Sequence, residues 1–161
     1  MKLMELRRIL LAAVSALPAA AISAGGGLAQ EAGPSDTDNR EAVVVTTAER
    51  NYILNQMRLF VVSVQTIAAG LGADDRVQAI EAAAARGLLR NANDPDFPPT
   101  LGAKLPPQWK QLGGGLRKGF DALAETINAG GAPQKSLEQL GIVMTNCVAC
   151  HATYRVATVR E

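Results

Sequence analysis

The chain of 161 residues has little of what many binding and catalytic proteins need: two cysteines, one histidine and only 4% aromatic residues. It has no block of basic residues interleaved with aromatics, which argues against a nucleic-acid-binding surface. No G-x-x-x-x-G-K-[ST] pattern fits the glycines at 113–119, so a phosphate-binding loop of that type is excluded. After residue 29 there is no long apolar run of the kind that crosses a membrane.

The N-terminal segment has the composition of a secretory signal peptide. Three basic residues stand within the first eight positions, the apolar run 9–24 follows, and small residues lead up to Ala29. The run is shorter than the roughly 20 residues that a membrane-spanning helix needs, so a cleaved signal is preferred to an anchor. We therefore predict a signal peptide at 1–29, a mature domain at 30–161 and, in a bacterium, a periplasmic location.

Both cysteines and the histidine lie together near the C-terminus, in the sequence Cys147-Val148-Ala149-Cys150-His151. C-x-x-C-H is the attachment pattern of c-type haem, in which each cysteine forms a thioether with a vinyl group and the histidine binds iron. Residues three and four apart share one face of a helix, so Cys147, Cys150 and His151 are expected to face one flat ligand. The predicted cofactor is one covalently attached haem c, with His151 as the metal ligand.

Other uses of the motif fit less well. A structural zinc site needs four ligands, so carboxylates would have to complete the set. A thioredoxin-like C-x-x-C follows a strand and opens a helix, whereas the residues before Cys147 have a helical pattern. A disulfide between the two cysteines is compatible with an exported protein but gives the adjacent histidine no role.

Four amphipathic helices are predicted in the mature chain, with no strand between them. Their expected bounds are about 38–69, 75–90, 107–129 and 133–159. Five prolines stand within 91–108, so this segment is predicted to be a long loop. The apolar stripe of the fourth helix contains Cys147 and His151, which places the motif on the core face. The predicted fold is all-α, an antiparallel up-down four-helix bundle that holds its haem between helices.

The motif and its place in the chain resemble the cytochrome c′ family, the class II c-type cytochromes. The segment 147–155 is similar to the family's C-x-x-C-H-x-x-[YF]-[RK] ending, and only a few residues follow it. The resemblance implies that Arg155 acts on the haem propionates or on the histidine ligand. It also implies an arginine on the first helix and, four residues later, a side chain that covers the other haem face. Counting back from Gly70 gives Arg50 and Leu54 for these two positions.

The resemblance further implies electron transfer, binding of a small gas such as NO or CO, or both. Leucine has no donor atom, so Leu54 over the iron favours five-coordinate haem. The alternative is a low-spin, six-coordinate electron carrier in which Met57, one turn later on the same stripe, binds the iron. A peroxidase-like enzyme needs a distal acid-base residue, and the single histidine is already assigned to the iron. No enzymatic activity is therefore predicted.

The expected partners are a redox protein and a gas ligand, with no nucleic acid and no stable membrane insertion. Members of the cytochrome c′ family, which this sequence resembles, often form antiparallel dimers through their first helices. The apolar content of 43–47 and 59–64 is compatible with such a homodimer.

Overall fold

The computed structural model describes residues 38–158, and the predicted signal peptide at 1–29 lies outside the described residues. The described chain is mostly helical and contains one pair of short strands. Its elements in chain order are β1 (Glu41–Val45), α1 (Thr47–Gly72), α2 (Arg76–Ala84), α3 (Leu88–Ala92), α4 (Leu101–Lys104), α5 (Pro107–Asn128), α6 (Pro133–Thr153) and β2 (Tyr154–Thr158). The prediction of a mostly helical chain is confirmed, and the prediction that it has no strands is wrong.

β1 and β2 join the two ends of the described chain as a parallel pair. Glu41 lies opposite Tyr154 and Val45 lies opposite Thr158, so every residue of each strand has a partner. The prediction that both segments continue the flanking helices is wrong. Both strands contain β-branched residues, which favour a strand over a helix once a partner strand is available.

α1 begins at a capping box, later in the chain than predicted. Thr46 Oγ1 accepts a hydrogen bond from Glu49 N at 3.2 Å, and Glu49 Oε2 accepts one from Thr46 N at 2.8 Å. The buried Glu49 carboxylate also accepts hydrogen bonds from Thr100 Oγ1 at 2.7 Å and Lys104 Nζ at 2.6 Å. These contacts attach α4 to the first turn of α1.

The predicted second helix is in fact two helices, α2 and α3, separated by a turn that contains Gly87. An ideal Cβ at position 87 would lie 1.7 Å from Asp121 Oδ1 in α5. The same carboxylate accepts a hydrogen bond from Leu88 N at 2.9 Å. A side chain at position 87 would displace this contact, so glycine permits the close approach of the turn to α5. The predicted start is confirmed, because the Asp75 carboxylate caps α2.

α1, α2, α5 and α6 enclose the main hydrophobic core. α1 packs against α2, α2 against α5, α5 against α6, and α6 against α1. Within this core the rings of Phe60 and Phe120 stack with their centroids 5.7 Å apart. α5 and α6 approach closely at Gly119, where an ideal Cβ would lie 2.6 Å from Val143 Cγ2.

Both long C-terminal helices begin where the sequence predicts. Pro107 and Pro133 occupy their first turns, where a missing backbone N–H costs no hydrogen bond. The proline-containing segment before α5 includes the short helix α4, which was not predicted, and its buried Leu101 anchors it to the fold. Among residues 38–158 no helix combines the length and the apolar character needed to cross a membrane.

Candidate cofactor site

An apolar cavity of about 450 Å³ is bordered by α1, α5, α6 and the segment around α4. Cys147, Cys150 and His151 line it from the last turns of α6. Its main apolar walls are formed by Ile53, Met57, Phe60, Leu101, Trp109 and Leu112. A cavity of this size, with mostly apolar walls and a few polar groups, is typical of a small-molecule or cofactor site.

The two cysteines present free thiols to this cavity. Both are half-buried, and burial raises the pKa of each thiol above its ordinary value. The thiols are therefore protonated at neutral pH. Cys147 packs against the main core, whereas Cys150 packs against a second apolar cluster that includes Leu101 and Tyr154. The exposed imidazole of His151 completes a set of two sulfurs and one nitrogen donor at one cavity.

The wall contributed by α1 contains Met57 and not Leu54. Met57 lines the cavity and packs against both apolar clusters, whereas Leu54 is half-buried outside the lining. The count that favoured Leu54 treated Gly70 as the end of the first helix, but α1 continues to Gly72. Gly70 instead serves close packing, since an ideal Cβ there would lie 3.2 Å from Ala79 Cβ in α2. The count from Gly70 therefore starts two residues before the end of α1.

Both arginines that the resemblance placed near the haem lie outside the cavity lining. Arg50 is exposed on α1. Arg155 was expected one helical turn after His151, but the helix has already ended and Arg155 is exposed on β2. Its Nε lies 3.9 Å from Asp38 Oδ2. The Asp38 carboxylate has a pKa lowered to about 2, chiefly by its hydrogen bond with Arg40.

Two further cations line the cavity and were not among the predicted site residues. Lys110 and Arg117 lie on α5, seven residues apart, with Gly113 and Gly114 between them in the cavity lining. The Arg117 guanidinium lies 5.1 Å from the ring centroid of Phe60, and burial lowers its pKa. The spacing i, i+3, i+4, i+7 was the available signal, because it places two cations and two glycines on one helical face.

The glycines of α5 fall into two groups with different structural roles. Ideal Cβ atoms at Gly113 and Gly114 would meet no atom within 4 Å, so these residues leave space at the cavity wall. At Gly115 an ideal Cβ would lie 3.0 Å from Asn146 Oδ1 of α6. α5 is therefore an unbroken helix whose first glycines widen the cavity and whose later glycines bring it close to α6.

Comparisons with family models, with curated proteins and with solved structures return no match to this chain. The function proposed below therefore depends on the residues of the cavity and on the resemblance of the C-terminal motif.

The surroundings of the motif also bear on its other interpretations. Within residues 38–158 no three or more His, Cys, Asp and Glu side chains are grouped so that they could hold a metal ion. The motif lies in the last turns of α6, whereas a thioredoxin-like motif lies at the start of a helix that follows a strand. The donors at the cavity are two thiols three residues apart and the following imidazole.

Proposed function

We propose that this chain is a periplasmic c-type haem protein of the cytochrome c′ type. Cys147 and Cys150 hold the porphyrin by thioethers, and His151 binds the iron. The observation that carries the proposal is that both thiols and the chain's single histidine line one apolar cavity. The helices α1, α2, α5 and α6 then form an antiparallel up-down four-helix bundle around the haem.

The chemistry of the cavity residues fits this cofactor. Each thiol would add across a vinyl group, so that its sulfur would bond to one vinyl carbon and its hydrogen would move to the other. This addition consumes no oxidant or reductant, and it requires the free thiols that the two cysteines present. The apolar walls exclude water from the porphyrin faces, and Gly113 and Gly114 leave room beside α5. When bound, the haem supplies one-electron oxidation and reduction at its iron.

We propose Met57 as the residue that would supply a second ligand to the iron. It would supply a thioether sulfur from the α1 wall of the cavity, whereas Leu54 is not part of the lining. A methionine opposite a histidine gives the ligand pair of many electron-transfer cytochromes and raises the reduction potential. Electron transfer by a six-coordinate haem is therefore favoured over gas binding at a five-coordinate haem under Leu54.

The position of the motif suits exchange of electrons with a partner protein. Val148, between the two cysteines, is 69% exposed, and His151 is also exposed. A docked redox protein can thus approach the attachment site closely. No enzymatic reaction is proposed, because the only histidine is assigned to the iron and no second imidazole is available as a distal acid or base.

The test is the absorption spectrum of the ferrous protein, with and without carbon monoxide, for the wild type and Met57→Ala. If Met57 binds the iron, the wild type is low-spin and reacts slowly with carbon monoxide. Met57→Ala should then be high-spin and bind carbon monoxide readily. Met144→Ala is the matched control, because Met144 lies on α6 outside the cavity lining and should leave the spectrum unchanged.

A high-spin wild type that binds carbon monoxide readily and is unaffected by Met57→Ala would contradict the six-coordinate proposal. That result would restore the gas-binding alternative, with an aliphatic side chain over the iron. A protein that carries no haem at all would contradict the proposed function as a whole.

A further inference from the structure

A second cavity, of about 590 Å³, lies beside the first and is lined by three arginines. Arg86 follows α2, Arg90 belongs to α3, and Arg117 belongs to α5, so three separate segments contribute the cations. We call this cavity the arginine pocket. Asp94 and Asp96 also line it, which leaves one positive charge in excess among these five groups.

The arginines of this pocket make no close ionic contact within the described residues. None of Arg86, Arg90 and Arg117 forms an ion pair with another residue of 38–158. The Asp94 carboxylate is engaged elsewhere, accepting hydrogen bonds from Tyr52 Oη at 2.7 Å and Gln56 Nε2 at 3.2 Å. The charge of Asp94 still acts on Arg86 and Arg117, and with Asp96 it offsets two of the three guanidinium charges, so the pocket keeps one positive charge in excess.

Arg86 is the most informative of the three. Its Nε is buried, and it has no hydrogen-bond acceptor among the described residues. Burial, followed by the nearby charge of Arg90, lowers the pKa of Arg86. A buried guanidinium N–H without an acceptor is costly, so an acceptor that reached this group from outside the described chain would stabilise the arrangement.

We propose that the arginine pocket binds a carboxylate group. Guanidinium groups match the planar, two-oxygen geometry of a carboxylate, and the single excess positive charge suits a monoanion. A phosphate dianion fits less well, because two aspartates of the lining would repel its second charge.

Two sources can supply this carboxylate. The first source follows from the wall that the two cavities share. Gln56, Asn91 and Arg117 line both the cofactor cavity and the arginine pocket. A haem propionate is one source, since the propionates project from the porphyrin edge opposite the vinyl groups; this source depends on the proposed function. A free carboxylic acid from solution is the other source and does not depend on it.

The experiment uses the purified full-length exported protein in two arms. In the first arm, sodium propionate is titrated at constant ionic strength against a sodium chloride control and followed by calorimetry. In the second, the reduction midpoint potential of the haem is measured in the wild type, Arg86→Gln and Arg86→Lys. Arg58→Gln is the matched control, because Arg58 is an exposed arginine of α1 outside both cavities. Thermal unfolding establishes that each variant is folded.

We expect the haem propionate to be the source. Free propionate should then not bind, and Arg86→Gln should lower the midpoint potential, because loss of a nearby cation disfavours the added electron. Arg86→Lys should recover part of the shift, since it keeps the charge without the planar fork. Arg58→Gln should have no comparable effect.

Saturable binding of free propionate, weakened about tenfold or more by Arg86→Gln, would support the pocket with a carboxylate from solution as its ligand. If free propionate does not bind and folded Arg86→Gln retains the wild-type midpoint potential, the proposal is overturned. If the purified protein carries no haem, the proposed function fails, and the titration alone decides: binding supports the pocket and no binding overturns it.

Discussion

The contact between Gly119 and Val143 sets the spacing of the two helices that border the cofactor cavity, and Gly119→Ala tests it. An added Cβ would lie 2.6 Å from Val143 Cγ2, whereas carbon atoms pack best at about 3.5–4.0 Å. α5 and α6 would therefore have to separate by about 1 Å, and such overpacking costs roughly 1–3 kcal/mol. The alanine also gains about 1 kcal/mol over glycine in helix propensity. The net destabilisation is about 0–2 kcal/mol.

Gly141→Ala is the matched control for this substitution. Gly141 lies inside α6, and an ideal Cβ there would meet no atom within 4 Å. Gly141→Ala should therefore gain only the helix propensity of alanine over glycine. The two variants should then differ in free energy of unfolding by about 1–3 kcal/mol. Urea unfolding in the same haem state measures this difference as a shift in midpoint of about 1 M.

A double-mutant cycle with Val143→Ala isolates the contact from the other effects of each substitution. Removing the valine methyl groups should relieve the overlap, so the double variant should be more stable than the sum of the single effects predicts. Val143 precedes Cys147 by one helical turn, so Gly119→Ala should also perturb the absorption spectrum of the proposed haem. If Gly119→Ala stabilises the protein as much as Gly141→Ala and shows no coupling to Val143, the packing of α5 on α6 described above is incorrect.

Two further predictions concern acid stability and the dependence of folding on the cofactor. Hydrogen bonds from Lys104, Thr46 and Thr100 lower the pKa of Glu49 from 4.5 to about 2, so its contribution to stability is complete above pH 4.5 and is lost as the pH falls towards 2. In acid titrations followed by circular dichroism, Glu49→Gln should lose part of this pH dependence, whereas the exposed Glu138→Gln should retain it; identical acid transitions in both variants would count against the Glu49 network. Replacing Cys147 and Cys150 with alanine should give a poorly folded chain, since a ligand that binds only the folded state stabilises it, and a sharp thermal transition in this haem-free variant would show that the fold does not need the cofactor.

The start of α6 and all of α5 could be predicted because their signals are local. Proline at the first turn and a sustained apolar stripe determine each of these helices within a short stretch of chain. The strands could not be predicted in this way. β1 and β2 pair across more than 100 residues of sequence, and each is too short to be distinguished from a frayed helix end without its partner.

The cofactor cavity could be predicted only in part for a related reason. The spacing of Cys147, Cys150 and His151 indicates a shared face of one helix, and the structure brings all three to one cavity. Which residue of α1 lines the cavity depends on the rotation of α1 relative to α6. The sequence of one helix alone does not determine this rotation. The count from Gly70 favoured Leu54, whereas the residue of α1 that lines the cavity is Met57. The arginine pocket could not be predicted either, because it requires the break between α2 and α3 at Gly87.

The central claim is that haem is covalently attached through Cys147 and Cys150, and the intact mass of the exported protein tests it most directly. The chain should be produced with its native N-terminus in a bacterium that matures c-type cytochromes, then denatured in acid before mass spectrometry. Our account predicts the mass of the mature chain plus one haem, an addition that is lost when both cysteines are replaced by alanine. A mature chain recovered at its polypeptide mass, without an attached haem, would contradict the account.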